Sequence, residues 1–286
     1  MRPRFHNSTR ARRATLAAGA LALAGLLAGC GRAPMPHPPE PPLQTATLQE
    51  LVARFNRNAN AVQTMTLKLN LSVKTTAKKY PKLSTYLLTQ KPSDIRISGS
   101  ITLLGRIFDM ASDGTRFEVN IPPDNQFVVG RNDVIPAETS NPLEKLRPQV
   151  ILNALLTNPI APTQHVAFDP DESTHDYDLL VIAPGDNGVD HLVRRITFSR
   201  YDLLPHRQVI YDGDQIHATV AEYSHFVLLN DIAIPLDMNL ERPVEGYALH
   251  LQIASNGVTL NKPFTTANPF ELQPPAGSRV VKISER

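Results

Sequence analysis

Met65, Leu67, Leu69, Leu71 and Val73 alternate without a break with Thr66, Lys68, Asn70, Ser72 and Lys74. A strict period of two describes an extended strand with one apolar face and one polar face. Strand-like runs recur at Leu83–Thr89, Asp94–Thr102, Arg106–Ala111, Thr115–Ile121 and Gln126–Val129. They return at Asp176–Ala183, Leu192–Ser199, Pro205–Tyr211, Gln215–Tyr223, Ile232–Leu240 and Tyr247–Ala254. Turn residues separate them, among them Asp113-Gly114, Pro122-Pro123-Asp124-Asn125, Asp212-Gly213 and Asn256-Gly257. About a dozen short antiparallel strands must cover their apolar faces as one large sheet, a barrel or a sandwich. No linker or repeat divides residues 45–286, which are read as one mainly β domain with few helices.

Two helices interrupt this pattern. Thr47 and Glu50 form a Thr-x-x-Glu capping box, and Leu48, Leu51, Val52, Phe55, Ala59 and Val62 follow at steps that share one helical face. Midway, Asn141-Pro142 and Pro148 can each start a turn, and Leu143, Leu146, Val150, Ile151, Leu155 and Leu156 make the segment apolar. A short apolar helix on long loops is either a plug for the core or a movable lid; sequence alone favours the plug.

The residues that carry chemistry do not assemble. None of the nine histidines falls in an H-x-x-x-H or H-E-x-x-H pair, and there is no P-loop, G-x-S-x-G or G-x-G-x-x-G. Asp212-Gly213-Asp214 lies between strand-like residues and reads as a hairpin turn rather than a metal loop. The chain has no Trp, which weakens a carbohydrate-stacking reading. The expectation is a protein that is not an enzyme, with no catalytic residues, metal or cofactor.

The amino terminus speaks to location. Arg2, Arg4, Arg10, Arg12 and Arg13 precede a run from Ala14 to Gly29 made of Ala, Leu and Gly apart from Thr15, and Leu27-Ala28-Gly29-Cys30 closes it. A basic n-region, a short apolar h-region and small residues at the cut site describe an export signal, too short to span a bilayer. Cys30 is the sole cysteine, so no intrachain disulfide can form. Small residues directly before it resemble the lipobox of bacterial lipoproteins, in which the cysteine is acylated and becomes the new N-terminus. The alternative is an ordinary signal in which that one cysteine fell by accident at the lipobox position. Removing the signal takes away five arginines, leaving 24 basic residues against 27 acidic ones, a formal charge of −3. Net charge then gives no argument for a nucleic-acid partner. Residues 30–44 form a tether holding Pro34, Pro36, Pro38, Pro39, Pro41 and Pro42, and at about 3.1 Å per residue an extended polyproline strap reaches roughly 40 Å.

The domain itself resembles the LolA/LolB superfamily of periplasmic lipoprotein carriers. Ser112-Asp113-Gly114 with Val119-Asn120-Ile121-Pro122 and Asn125-Gln126 is similar to that family's turn, strand and polar return. Leu204-Pro205-His206-Arg207 through Tyr211-Asp212-Gly213 to Ile234-Pro235 is similar to its meander. Gly257-Val258, Phe264, Phe270 and Pro274-Pro275-Ala276-Gly277 through Val281 are similar to its closing segment. The resemblance implies a large curved antiparallel sheet, an unclosed half-barrel, with the N-terminal and mid-chain helices over its concave side. It places Leu67, Leu69, Leu71, Ile95, Ile97 and Ile101 as cavity candidates and Leu51, Phe55, Leu146 and Leu155 as lid candidates. It implies a monomeric, outer-membrane-anchored lipoprotein facing the periplasm. Its partners would be the bilayer through acylated Cys30, the acyl chains of lipoproteins or lipids, and a periplasmic carrier. LolA is soluble, whereas this chain carries an anchor signal as LolB does, and Leu103-Leu104-Gly105 stands where LolB exposes a hairpin leucine. The alternative is a non-catalytic envelope sensor or interaction protein of the same fold. Labelled palmitate should enter the wild type and be lost from Cys30→Ser; equal labelling of both would contradict the lipobox reading.

Overall fold

The computed structural model describes residues 41–76, 78–134, 147–169, 175–185, 188–213 and 218–283. Cys30, the export signal, the tether up to residue 40, the Asn141-Pro142 turn and Leu146 lie outside the described residues. Pro42–Arg286 form one compact unit.

Helix α1, Leu48–Ala61, starts where its sequence signature places it. The Glu50 N–H donates to Thr47 Oγ1, and the Thr47 N–H donates to the Glu50 carboxylate at 2.7 Å. The bonds that the Glu50 carboxylate accepts from the Thr47 N–H and hydroxyl hold it below its ordinary range. At the other end Lys91 Nζ and Asn261 Nδ2 donate to the carbonyls of Ala59 and Ala61, two of the acceptors that a helix end leaves open.

Fourteen strands follow in one sheet. They are β1 Thr64–Thr75, β2 Leu83–Gln90, β3 Asp94–Ile101, β4 Gly105–Ser112, β5 Arg116–Ile121, β6 Gln126–Arg131 and β7 His165–Asp169. Then come β8 Asp176–Ala183, β9 His191–Ser199, β10 Pro205–Tyr211, β11 Ala218–Leu229, β12 Ile232–Arg242, β13 Tyr247–Leu260 and β14 Arg279–Lys282. Helix α2, Pro148–Leu155, lies between β6 and β7. The sheet runs β14-β6-β5-β4-β3-β2-β1-β13-β12-β11-β10-β9-β8-β7, so it is curved but never closes. Of the three architectures left open by the strand count, it is the single sheet. All pairings are antiparallel except β14 with β6.

Two meanders, β1–β6 and β7–β13, join through the pairing of β1 with β13. Between the pairs Leu67↔Val258 and Leu69↔Ile253, β13 carries three more residues than β1, a bulge opposite Lys68. Gly257 sits in it, and a Cβ there would lie 2.9 Å from the Lys68 carbonyl oxygen, so only glycine fits.

Alternation decides which face is covered. Met65, Leu67, Leu69, Leu71 and Val73 are all buried, and the residues between them are not. The main core gathers the inner faces of β1–β5 and β11–β13 with Ile151, Leu152 and Ala154 of α2. A second cluster packs Leu51 and Phe55 of α1 on Leu179, Ile196 and Phe198 of β8 and β9. On the opposite face of the first meander, Arg96 Nη2 and Arg106 Nη1 reach the buried Asp109 carboxylate at 2.8 and 3.0 Å. Arg96 also donates to the carbonyl of Pro269, and Leu272 N–H donates to Glu118, which guides the C-terminal segment back to form β14.

The structure adds what the pattern did not show. Strands β7 and β14 fall in segments rich in turn formers, and β11 and β13 run on to Leu229 and Leu260. Helix α2 begins at Pro148 with no side-chain cap.

Candidate functional site

Two helices do not fill the concave face of fourteen strands, and the space left between them is a cavity of about 520 Å³. That volume is in the range of small-molecule sites. Phe55, Ala59 and Val62 of α1 form one wall, and Leu155 and Leu156 at the end of α2 form another. Ile232, Ile234 and Pro235 of β12 and Met65 of β1 complete an apolar surface.

A break in alternation shapes the floor. Tyr223 faces inward on β11, but His225 takes φ 55°, and beyond that left-handed residue Phe226 and Leu228 line the cavity. Phe55 is held at its base, edge-on to Phe198 with ring centres 6.4 Å apart, and the Arg194 guanidinium stands 5.7 Å from its ring centre. Burial pulls the Arg194 pKa down. Its Nη1 donates to the carbonyl of Asn158, just beyond α2, at 3.0 Å.

Amide side chains hold α1 against two segments. Asn58 accepts from the Ala233 N–H at 2.7 Å and donates to the Ala233 carbonyl at 3.1 Å. Asn56 does the same with Ile160, at 2.7 and 3.0 Å. Each asparagine satisfies a backbone donor and acceptor that would otherwise be lost from water unpaired. Helix α2 is tied from below, because the Tyr223 hydroxyl donates to the Ala154 carbonyl at 3.0 Å. Burial pushes the Tyr223 pKa up, so the hydroxyl stays protonated.

Arg54, Arg57 and the Asn230-Asp231 turn border the cavity, and Leu228 on its wall is 70% exposed. Gln44 donates from its backbone N–H to the Arg200 carbonyl and from Nε2 to the Tyr201 carbonyl, both at 2.7 Å.

The candidates from sequence divide sharply. Phe55 and Leu155, two of the lid candidates, face each other across the cavity. Leu51 lies fully buried in the second cluster, and Leu146 is outside the described residues. Leu67, Leu69, Leu71, Ile95 and Ile97 are packed in the main core, and Ile101 lies half-buried against it. None of these six lines the cavity, because they are packed in or against the main core, to which α2 adds Ile151, Leu152 and Ala154. Leu69 borders only a shallow groove beside Lys68, Tyr86 and Gln252. The residues missed were Gln208, Tyr223, Phe226, Ile232 and Ile234. One signal was present: Phe226-Val227-Leu228-Leu229 is apolar at four consecutive positions, as a strand covered on both faces would be.

Among the described residues no group of three His, Cys, Asp or Glu side chains could hold a metal ion, and no helix is long and apolar enough to cross a membrane.

The mainly β fold, one large curved and unclosed sheet with two helices among the described residues, is the fold class expected from the sequence. No protein-family model matches the chain, and no curated protein matches it. Among solved structures, it is similar to a LolA superfamily protein from Nitrosomonas europaea at 10% identity and TM-score 0.47, covering 77% of this chain and 96% of that one. A DUF1329 family protein from Desulfovibrio piger matches at 13% identity and TM-score 0.48, with the same coverages. A domain from Vibrio parahaemolyticus described as an outer membrane lipoprotein-sorting protein matches at 9% identity and TM-score 0.47, covering 76% of this chain and 91% of that one.

Core and cavity wall should respond differently to truncation. Leu67→Ala should cost about 2–5 kcal/mol in urea unfolding, the usual loss at a packed site. Leu155→Ala, beside space that is already empty, should cost less than half as much. Equal losses would contradict the boundary drawn between core and cavity.

Proposed function

We infer that the protein binds an acyl chain in the cavity between α1 and α2 and takes part in moving or inserting lipoproteins or lipids in a bacterial envelope. The observation that carries this reading is a largely apolar cavity wall of phenylalanine, leucine and isoleucine, furnished by both helices and by β10–β12 and open at one side. Each methylene buried there contributes about 0.8 kcal/mol, so a chain needs few polar contacts to bind. The reading involves no catalysis, cofactor or nucleic acid. Acylated Cys30 anchors the protein in the outer membrane facing the periplasm, residues 30–44 serve as its tether, and a periplasmic carrier delivers the cargo to a monomer.

The hairpin between β3 and β4 supports a role at a lipid surface. Leu103 is 100% exposed at φ 75° and Leu104 is 72% exposed. Large apolar side chains held out in water are costly unless they meet something apolar. In LolB-like proteins an exposed leucine on a hairpin does this, and the same role is proposed for Leu103 and Leu104.

Titration with the fluorescent fatty acid cis-parinaric acid tests the cavity. Wild type should take up the probe, and Ile234→Trp, which fills the space with an indole, should weaken binding at least tenfold while the strand-dominated circular dichroism is retained. Unchanged binding in a folded Ile234→Trp protein would place the site elsewhere.

A further inference from the structure

Helix α1 presents two kinds of side chain to the cavity. Phe55, Ala59 and Val62 form part of the apolar wall, and on the adjoining stripe of the helix Arg54 and Arg57 stand at the rim. The same two side chains border a second groove of about 360 Å³, walled by Thr45, Ala46, Ala53 and Leu203. They therefore stand between two open spaces and not against packed protein.

The acids nearby leave this positive charge largely unmatched. Glu50, one turn before Arg54, spends its carboxylate on the Thr47 N–H and hydroxyl. Asp202 accepts from Arg54 at 3.4 Å through its backbone carbonyl, while its carboxylate takes the His206 ring and the Leu204 N–H. Asp231 borders the cavity from the β11–β12 turn and forms no ion pair with either arginine. Arg57 is exposed and has no hydrogen bond or ion pair among the described residues. At the base of the cavity the charge is again positive. Arg194 stands against the Phe55 ring, and its bonded partner is the Asn158 carbonyl, not a carboxylate.

An ionised headgroup cannot enter an apolar wall without a large penalty, so it stays at the rim when its chain goes in. There it meets two guanidinium groups, whose planar forks of N–H donors match a carboxylate or phosphate on two bonds at once. We propose that Arg54 and Arg57 hold the acidic headgroup, a carboxylate or a phosphate, of an amphiphile whose chain lies in the cavity. This rests on the acyl-chain reading and narrows the ligand from any acyl chain to one with an anionic head. An uncharged head on the same chain gains nothing from the two arginines, and a cationic head is repelled.

Displacement of the uncharged fluorophore N-phenyl-1-naphthylamine tests this, using the full chain with Cys30→Ser so that no detergent is present. The competitors share one dodecyl chain: dodecanoate, dodecyl phosphate, dodecanol and dodecylammonium, with inorganic phosphate as a headgroup alone. At low salt the two anions should displace the probe at about fivefold lower concentration than dodecanol, the upper range for an exposed ion pair. Dodecylammonium should be weaker than dodecanol, and at about 0.5 M salt these differences should shrink. Arg54→Gln together with Arg57→Gln should abolish the preference while dodecanol displaces as before. Each single variant should lose part of it, which keeps the test open should the pair fail to fold. Arg116→Gln, exposed on β5 and away from the cavity, should keep it, which separates a local site from overall charge. Equal displacement by all four amphiphiles would overturn the headgroup site and leave acyl binding intact. So would a preference that survives in the folded double variant or is lost in Arg116→Gln. Displacement by inorganic phosphate at the same concentrations would assign the arginines to a free anion and overturn the proposal. A probe that does not bind, or that no dodecyl compound displaces, would remove both readings together.

Discussion

The pairing of β1 with β13 sets the terms for everything else in this protein. It joins two meanders that are each local in sequence into one sheet, through contacts such as Met65↔Leu260 that span nearly the whole domain. The sheet so formed has one apolar face and two open edges. Closure into a barrel would bury that face by itself. An unclosed sheet must find other cover, and the described residues provide two helices of fourteen and eight residues. The shorter one sinks into the first meander and completes a dense core. The longer one covers β8 and β9. Each touches β11 or β12 at one point, through Asn58 on Ala233 and through Ala154 on Tyr223, and the space left between these contacts is the cavity.

An apolar hollow next to mobile side chains tends to collapse, so its persistence needs a physical cause. Here the helices are fixed by hydrogen bonds rather than by contact with one another. Asn56 and Asn58 bind α1 to Ile160 and Ala233 through paired amide bonds, and Tyr223 binds the last turn of α2 to β11. Each bond replaces one that the backbone would otherwise make with water, so moving a helix inward leaves buried donors and acceptors unpaired.

Much of the fold could be read in the residues. The alternation from Met65 to Val73, the Thr47–Glu50 box and the turn at Asp113-Gly114 each act over a few residues, and each forms where it was expected, whereas Asn256-Gly257, expected as a turn, lies in the bulge inside β13. The site was legible only at its helical edges, through Phe55 and Leu155. Alternation identifies which face of a strand is buried but not what covers it. Leu69 and Ile234 look alike in sequence and both belong to the main core, yet only the second also borders the cavity. Tyr223 owes its place to Ala154, which is distant in sequence, and the reversal at His225 depends on a backbone angle that histidine does not dictate. Strand β7 was missed because its five residues show no buried face to reveal them.

Native mass spectrometry of the protein purified without detergent from bacterial cells tests the central claim most directly. The account predicts a population carrying one bound lipid whose mass matches an acyl-bearing species, absent from folded Ile234→Trp. A wild-type protein that never carries lipid, or an adduct that persists unchanged when the cavity is filled, would contradict it.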